Sequence, residues 1–438
     1  MKKVIASASL LALGASIATV ATAAENKPWT VTGALRGFWD DNINTTSSGS
    51  PGKQSSFGVE VRPGAALDFD WGATKLTASY LYSMRYYEKR RNTDQSHDIE
   101  LQLNHEFSAR YSAGFMDSFV IAQEPEVIAG SGALATPIRS NGNNFRNTGG
   151  LDFRGQLTRL FGFIFTYQNI YYSYDENAGN TAIPASPSLS ALLDRDENFV
   201  SIDSTWTITE RTTGIFGYRF GAVDYLSGET INTPTGGSFV SSKTRNNYSH
   251  TLYVGADHSF RQDLTAQLRV GVEILDYYNS KNLPPPFTPN SESTTVSPYA
   301  DVSLNYTYAD GGLVTLGFRH EHNQTDQAVN ESTLASQAAG VTVDVESSTV
   351  YATVKNKLSF LTPRLSASLT GQYQNSTFNQ GPLNNETDNY YLFGVDLMYQ
   401  INKYLSAEAG YNYDLICSDV TGRGYSRNQV FLGLSASY

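Results

Sequence analysis

The chain has 438 residues, 17% of them charged, with 28 tyrosines, 22 phenylalanines and 36 glycines. Its formal net charge of −11 makes nucleic acid and anionic lipid surfaces poor partners. Its single cysteine, Cys417, excludes an intramolecular disulfide framework. Few charges and many aromatics suit strands that face lipid on one side and a polar lumen on the other, although a secreted β-sandwich array or a β-solenoid has a similar composition.

The first segment has the features of a secretory signal peptide. Two lysines precede an apolar run over residues 4–20, and a small-x-small pattern follows at 21–23. We therefore predict a signal peptide over residues 1–23, with Ala23 and Ala24 at the cleavage site. An uncleaved membrane anchor is the alternative, but small residues dilute the apolar run and polar sequence follows at once.

From residue 24 to 438 apolar and polar residues alternate in many segments. Over residues 264–274, Leu, Ala, Leu, Val, Val and Ile alternate with Thr, Gln, Arg, Gly and Glu. Such a segment is a β-strand with one apolar and one polar face. Residues 75–85 and 365–373 repeat the pattern. Each segment could cross a bilayer at a tilt, which takes roughly nine to eleven residues.

Short turns alternate with long connections rich in Gly, Ser, Asn and Pro. The predicted turns lie at 70–72, 108–110, 209–210, 261–263, 309–312, 362–364 and 402–403, and the predicted long connections at 41–55, 124–147, 176–196, 226–244, 278–293 and 325–344. Strict alternation is typical of a barrel with tight periplasmic turns and extended outer loops.

We therefore predict an all-β fold for residues 24–438, a transmembrane antiparallel up-and-down β-barrel of about 18 strands (16–18). Both termini fall on the periplasmic side, and no region is left over for a plug or a separate soluble domain. The predicted strands are 28–40, 56–69, 73–86, 97–107, 111–123, 148–158, 161–175, 197–208, 211–224, 246–259, 264–277, 295–308, 313–323, 346–359, 365–376, 389–401, 404–416 and 428–438.

The last predicted strand is amphipathic and ends on the aromatic residue Tyr438. It resembles the C-terminal signal by which outer-membrane barrels are recognised for insertion. We therefore expect the barrel-assembly machinery as a partner, and the outer membrane of a Gram-negative-type cell, with its lipid and lipopolysaccharide, as the location.

The first predicted strand carries a family resemblance. The segment Trp29-Thr30-Val31-Thr32-Gly33-Ala34-Leu35-Arg36-Gly37-Phe38-Trp39-Asp40-Asp41-Asn42 looks like the first strand of the putative β-barrel porin 2 family, where an alternating strand runs into a Tyr/Phe-x-Asp-Asn exit. The resemblance implies an outer-membrane barrel of porin-like architecture whose substrate is generally unassigned.

The polar strand faces supply candidate pore-lining residues. About 18 strands are wide enough to leave an aqueous channel. Ten basic and eleven acidic side chains alternate onto the inner face, which predicts no strong ion selectivity from wall charge alone. The main candidates are Arg36, Arg62, Lys75, Arg85, Arg154, Arg219, Arg269, Glu273, Arg319, Glu321, Asp396 and Glu408.

Two long connections have apolar content that is unusual for a loop exposed only to water. Residues 124–147 contain Val, Ile and Leu together with two arginines, and we expect this segment to constrict the pore if any loop does so. Residues 176–196 are the second candidate. In either case an outer loop packed on its neighbours is the alternative.

Paired tyrosines near strand ends, such as those at 86–87, 171–172, 277–278 and 390–391, suit interfacial aromatic girdles. The alternative is a sugar-stacking track along the lumen.

Enzymatic and metal functions have little support in the sequence. The six histidines are scattered, and neither Gly-x-Ser-x-Gly nor His-Glu-x-x-His occurs. His320 and His322 share a strand face but lack a third ligand. Residues 40–42 could bind calcium through carboxylates, although a solvated turn is the simpler interpretation. We therefore predict no enzyme, no cofactor and no metal.

Two functions remain. The first is a channel for passive diffusion of small hydrophilic solutes. The second is a structural or surface-interaction barrel, linked in one version to exopolysaccharide export. Only the first requires an open pore, so conductance discriminates between them. A homotrimer is a third expectation, since porins of this size often form one.

Overall fold

A computed structural model describes residues 27–47, 51–123, 143–175, 187–231, 240–283, 290, 292–308, 312–326 and 340–438. The predicted signal peptide, with Ala23 and Ala24, lies outside these residues, as do most of the segments 124–147 and 309–312. Among the described residues no helix is long and apolar enough to cross a membrane.

Eighteen strands lie within the described residues, which confirms the predicted fold class and strand count. They are β1 (Trp29–Asp40), β2 (Ser56–Asp70), β3 (Thr74–Tyr87), β4 (Asn92–Ser108), β5 (Tyr111–Ala122), β6 (Asn144–Gln156), β7 (Phe161–Tyr174), β8 (Arg195–Thr209), β9 (Thr212–Tyr225), β10 (Asn247–Arg261), β11 (Leu264–Asp276), β12 (Thr294–Tyr308), β13 (Gly312–Asn323), β14 (Asp344–Lys357), β15 (Leu365–Asn379), β16 (Thr387–Gln400), β17 (Leu405–Ser418) and β18 (Tyr425–Ser437).

The strands form a closed antiparallel barrel in which each strand pairs with its neighbours in the chain. The last strand closes on the first over a register from Thr32↔Ser437 to Asp40↔Gln429. Beyond that ladder, Tyr438 N donates to Val31 O at 2.9 Å. Closure leaves no open sheet edge, which is what a strand structure needs where water cannot bond the backbone.

The two faces of the wall differ as the alternation predicts. On β11 the exposed side chains are Leu268, Val270, Val272 and Ile274, each about two-fifths exposed, whereas Glu273 between them is buried. An apolar exterior around a polar interior is the reverse of a protein that folds in water.

The connections at one end are short, and those at the other end are long with three exceptions. Residues 88–91, 380–386 and 419–424 are short connections at the long-loop end. The prediction of strict alternation is therefore wrong at these places. At 88–91 the reason is local: β4 extends to Asn92 and pairs with Tyr87, but its first residues are all polar and show no alternation.

Short helical segments occur in the connections at the long-loop end. Helix α1 (Leu189–Leu193) precedes β8, and Ser188 caps it, since its Oγ accepts a hydrogen bond of 3.0 Å from Ala191 N. A 3₁₀ turn, Ser242–Arg245, precedes β10, and a second, Gly381–Leu383, precedes β16. These segments belong to the structure at the mouth of the barrel.

Candidate channel and its outer cap

The pairing register puts all twelve candidate pore-lining residues on the inner face. Arg36 lies opposite Glu60, and Glu60 lies opposite Arg85. On the other side of the barrel Arg269 lies opposite Asp301, which lies opposite Arg319. These side chains point away from the exposed apolar face.

Arg36 is the centre of a first group of charges, which joins the two ends of the chain. Its guanidinium donates to both oxygens of Glu408, at 2.7 and 3.1 Å, and to Glu60 at 3.2 Å. Arg85 donates to Glu60 at 2.8 Å, and Arg62 lies on the same face of β2. Asp396 interacts electrostatically with Arg36, Arg62 and Glu408. Three carboxylates therefore face three guanidiniums, and the first group is close to neutral.

The second group lies on β9 to β13. Arg319 pairs with Asp301 at 3.1 Å and with Glu321 at 3.7 Å. Arg219 pairs with Glu273 at 3.4 Å, and Arg269 with Asp257 at 2.8 Å. Four carboxylates face three guanidiniums, a local excess of one negative charge.

A neutral wall separates the two groups on one side. Except at the last inner position of β15, its inner side chains are all hydroxyls and amides: Ser366, Ser368, Thr370, Gln372, Gln374 and Ser376. The mixed wall charge is thus divided into a nearly neutral and a negative group, an arrangement that sets a field across a lumen.

Two of the predicted residues lie apart from these groups. Lys75 pairs with Asp70 at 3.1 Å at the exposed short-turn end. Arg154 pairs with Asp152 at 3.0 Å on β6.

The structure divides each predicted tyrosine pair within a strand between the two faces. Tyr86 and Tyr391 are about two-fifths exposed, as girdle residues would be. Their neighbours Tyr87 and Tyr390 are buried, and so is Tyr277. Buried rings offer no face on which a sugar could stack.

The connections at the long-loop end pack together into what we call the outer cap: α1, Ser242–Arg245, residues 324–326 and 340–343, Gly381–Leu383 and Arg423. Its apolar centre is a buried cluster of Ala191, Ile231, Val240 and Val341. Val341 N and O also exchange hydrogen bonds of 3.0 Å with the amide of Asn290. Segment 340–343 therefore contacts several different connections at once.

Gly381 fits closely against segment 340–343. Its φ is +62°, and a Cβ there would lie 2.2 Å from Thr342 N. Glycine is the residue that tolerates both the left-handed backbone and the close approach.

Two buried arginines reach residues 325 and 326 from opposite sides of the mouth. Arg245 Nη1 donates to Thr325 O at 3.0 Å, and Arg423 Nη1 donates to Asp326 at 2.8 Å. Arg245 precedes β10 and Arg423 precedes β18, so their strands are eight apart in an 18-stranded barrel. The contacts from Arg245 to Thr325 and from Asp326 to Arg423 therefore bridge the mouth.

The two guanidiniums are balanced differently. Among the described residues Arg245 bonds only backbone carbonyls, those of Thr325, Ala191 and Leu192, and its guanidinium lies 4.1 Å over the Tyr225 ring. Burial lowers the pKa of Arg245. Burial acts in the same direction on Arg423, but the carboxylates of Asp326 and Asp388 outweigh it and raise the pKa of Arg423.

The structure describes the two segments that were predicted to constrict the pore to different extents. Residues 124–142 are outside the described residues, so the first candidate stays a prediction. Of the second candidate, 176–196, residues 189–193 form α1 of the outer cap. Sequence reasoning missed Arg245 and Arg423, because their partners Thr325 and Asp326 lie 80 and 97 residues away and no local pattern marks them.

All six histidines lie on the outer face of the wall. His320 Nε2 lies 2.8 Å from Glu346, and His322 Nδ1 lies 2.6 Å from Asp344. In the part of the chain that the structure describes, no group of three or more His, Cys, Asp or Glu could hold a metal ion.

The 40–42 turn is not solvated. Asp40 is buried and accepts hydrogen bonds of 2.9 and 2.6 Å from Arg427. Asp41 bonds Lys53 and Asn428. Donors from the protein therefore occupy the carboxylates that calcium would need.

A protein-family comparison matches the C-terminal part of the chain. The model described as "Putative beta-barrel porin 2" matches residues 322–438, from the end of β13 to Tyr438. The predicted resemblance is confirmed there, while the first-strand motif at 29–42 lies outside the matched residues. No curated protein matches the chain.

Several solved structures align with nearly the whole chain at low sequence identity. Acinetobacter baumannii OccAB3 is 10% identical with a TM-score of 0.42, over 94% of this chain and 99% of that one. Pseudomonas aeruginosa OccK2 in complex with glucuronate is 10% identical with a TM-score of 0.44, over 93% and 98%. Pseudomonas aeruginosa OpdK with vanillate is 10% identical with a TM-score of 0.42, over 94% and 99%.

Proposed function

We propose that the protein is an outer-membrane channel for the passive diffusion of small hydrophilic solutes, with the outer cap as its narrowest part. The observation that carries the proposal is the closed 18-stranded wall with an apolar outside and charged groups on its inside. About 18 strands leave a wide interior, whereas about eight are filled by their own side chains.

The inner charges suit hydrated solutes without a strong preference of sign. Each group is nearly neutral, since its guanidiniums and carboxylates pair within it. The remaining field between the groups orients dipolar solutes and does not repel one class of ion. Short turns then face the periplasm and the outer cap faces the outside, and assembly machinery, lipopolysaccharide contact and trimer formation stay predictions.

The test is single-channel conductance of the refolded mature protein in a planar bilayer. We expect stable open steps, and larger steps for Asp326→Ala, because that change removes the acceptor that holds Arg423 at the mouth. A deletion of residues 125–142 tests the other constriction candidate in the same assay. Silence of all three proteins contradicts a channel and leaves the surface-structural barrel.

A further inference from the structure

A hydroxyl, an imidazole and a carboxylate form a hydrogen-bonded chain on the outer face of β13 and β14. Ser348 Oγ lies 2.8 Å from His320 Nδ1, and His320 Nε2 lies 2.8 Å from Glu346 Oε1. Ser348 lies directly opposite His320 in the ladder. Because a carboxylate only accepts, Nε2 carries the proton, and Nδ1 is left to accept from the serine hydroxyl.

Glu346 is held in place from a third strand. Ser297 Oγ on β12 donates to the same Oε1 at 2.8 Å. It can reach because pairing of β12 with β13 ends at Ala300↔His320, whereas β12 continues to pair with β11 through Pro298 to Thr294. Proline lacks an N–H to extend the ladder on its free side. The interrupted ladder therefore lets a side chain orient the carboxylate.

An amide donor lies beside the hydroxyl. Asn375 is directly opposite Ser348 on β15, on the same face. Its Nδ2 donates to Asn389 Oδ1 at 3.0 Å, and the amide nitrogen carries a second N–H. Side-chain amides of this kind stabilise the oxyanion of acyl-transfer intermediates.

The hydrogen-bonded chain of Ser348, His320 and Glu346 lies at the level where the apolar outer surface of the wall ends. On the outer face, several tyrosine hydroxyls bond an Asn or His on the following strand, two residues nearer the long-loop end than the residue opposite the tyrosine. These pairs mark a polar boundary: Tyr80–His97, Tyr167–Asn198, Tyr218–His250, Tyr373–Asn389 and Tyr411–Asn428. Asn389 of this boundary is the partner of Asn375. Below Ser348 the wall is apolar, with Val350 and Leu316 half exposed.

We propose that Ser348, His320 and Glu346 form a hydrolytic site for the carboxylic ester of an acyl-chain amphiphile in the surrounding leaflet. Ser348 is the nucleophile, His320 the general base and Glu346 a positioning residue. The apolar wall below accommodates the acyl chain, and the polar boundary places the ester beside the hydroxyl. This activity is separate from conduction through the lumen.

The steps balance with water as the co-reactant. Ser348 Oγ forms a bond to the ester carbonyl carbon while its proton passes to His320 Nδ1. The C–O bond to the alcohol then breaks, and His320 returns the proton to the leaving oxygen. Water repeats the sequence on the acyl-serine and releases a fatty acid, which restores the serine hydroxyl.

The barrel contains matched sites that lack the carboxylate. Thr212 Oγ1 lies 2.9 Å from His258 Nδ1, and Thr74 Oγ1 lies 2.7 Å from His105 Nδ1. On each of these histidines a phenylalanine ring, Phe260 or Phe107, stands edge-on at about the same distance. These sites supply the control for a hydroxyl–imidazole pair without an orienting acid.

The test uses the mature protein reconstituted into vesicles of phosphatidylethanolamine and, in a second arm, into vesicles that contain lipopolysaccharide. Released fatty acid is measured by mass spectrometry, and a fluorophosphonate reports the nucleophile. We expect release in one or both arms and covalent labelling of Ser348. Ser348→Ala and His320→Ala should each lower release by roughly 10² to 10⁴-fold, while His258→Ala and Thr212→Ala keep it.

Glu346→Gln provides a readout that a purely structural role would not give. The amide keeps the size of the side chain and removes its charge, so the variant should lower kcat for fatty-acid release and leave KM close to that of the parent protein. Barrel folding is checked by conductance, which Ser348→Ala should leave unchanged. Release that persists in Ser348→Ala, or the absence of both release and labelling in the parent protein, overturns the proposal.

Discussion

The wall and the outer cap of this barrel are held together by different kinds of contact. In the wall nearly every contact joins strands that follow one another in the chain, and alternation alone tells each side chain which face to take. In the outer cap Arg245 and Arg423 bond residues 35 to 97 positions away. The wall is therefore specified locally, and the outer cap only by the finished fold.

The difference also decides where a single substitution acts. Wall charges such as Arg36 are partly exposed to the lumen, so water can replace a lost partner. Arg245 is fully buried, and so are Thr325 and Ala191, whose carbonyls it bonds. Changes in the outer cap should therefore alter structure, whereas changes in the wall should alter permeation.

The largest effect is expected for Arg245→Ala. The change removes the guanidinium that donates to the carbonyls of Thr325, Ala191 and Leu192, of which the first two belong to fully buried residues. Each such loss costs about 1–3 kcal/mol, so the outer cap should loosen while the wall stays folded. Limited proteolysis should cut the connections near Arg245 at least ten times faster, and conductance steps should enlarge.

Arg211→Ala is the matched control for that experiment. Its guanidinium also donates to a backbone carbonyl, Phe260 O at 3.3 Å, but in an exposed turn at the other end of the barrel. It should leave both readouts unchanged. Equal protease resistance of Arg245→Ala and the parent protein would contradict a bridged mouth.

A smaller effect is expected for the wall variant Arg36→Ala. Glu408 and Glu60 lose a shared cation, so the first charge group changes from nearly neutral to an excess of one negative charge. The ratio of cation to anion permeability, from reversal potentials in a salt gradient, should rise several-fold at low salt and less at high salt. Lys75→Ala, whose partner Asp70 is exposed, serves as the control. A ratio that does not change would place Arg36 outside the conducting path.

The same contrast explains what could be predicted from the sequence. Strand β11 and its inward Arg269 and Glu273 follow from the alternation of apolar and polar residues, which is visible within a window of about ten residues. The partner of His320 could not be predicted, because Ser348 and Glu346 lie beyond a long connection and only the β13–β14 register brings them together. The sequence showed outward-facing histidines at the end of a strand, but this pattern did not identify the residues that they contact.

The smallest effect concerns Asp194, at the end of α1 in the outer cap. Burial raises the pKa of its carboxyl, and hydrogen bonds from Ser190 Oγ and Tyr174 N only partly offset this. A carboxyl whose pKa is higher in the folded than in the unfolded state destabilises the fold when ionised. That cost is present at neutral pH and disappears as the pH falls through the raised pKa.

We therefore expect α1 to be held more firmly at mildly acidic than at neutral pH. Amide exchange of residues 189–193, corrected for its intrinsic pH dependence, should slow a few-fold on acidification. Asp194→Asn, which keeps the side chain neutral, should remove the difference, and Asp70→Asn at the opposite end should not. Faster exchange at the lower pH would show that the ionised carboxylate stabilises α1, in which case its two hydrogen bonds outweigh its burial.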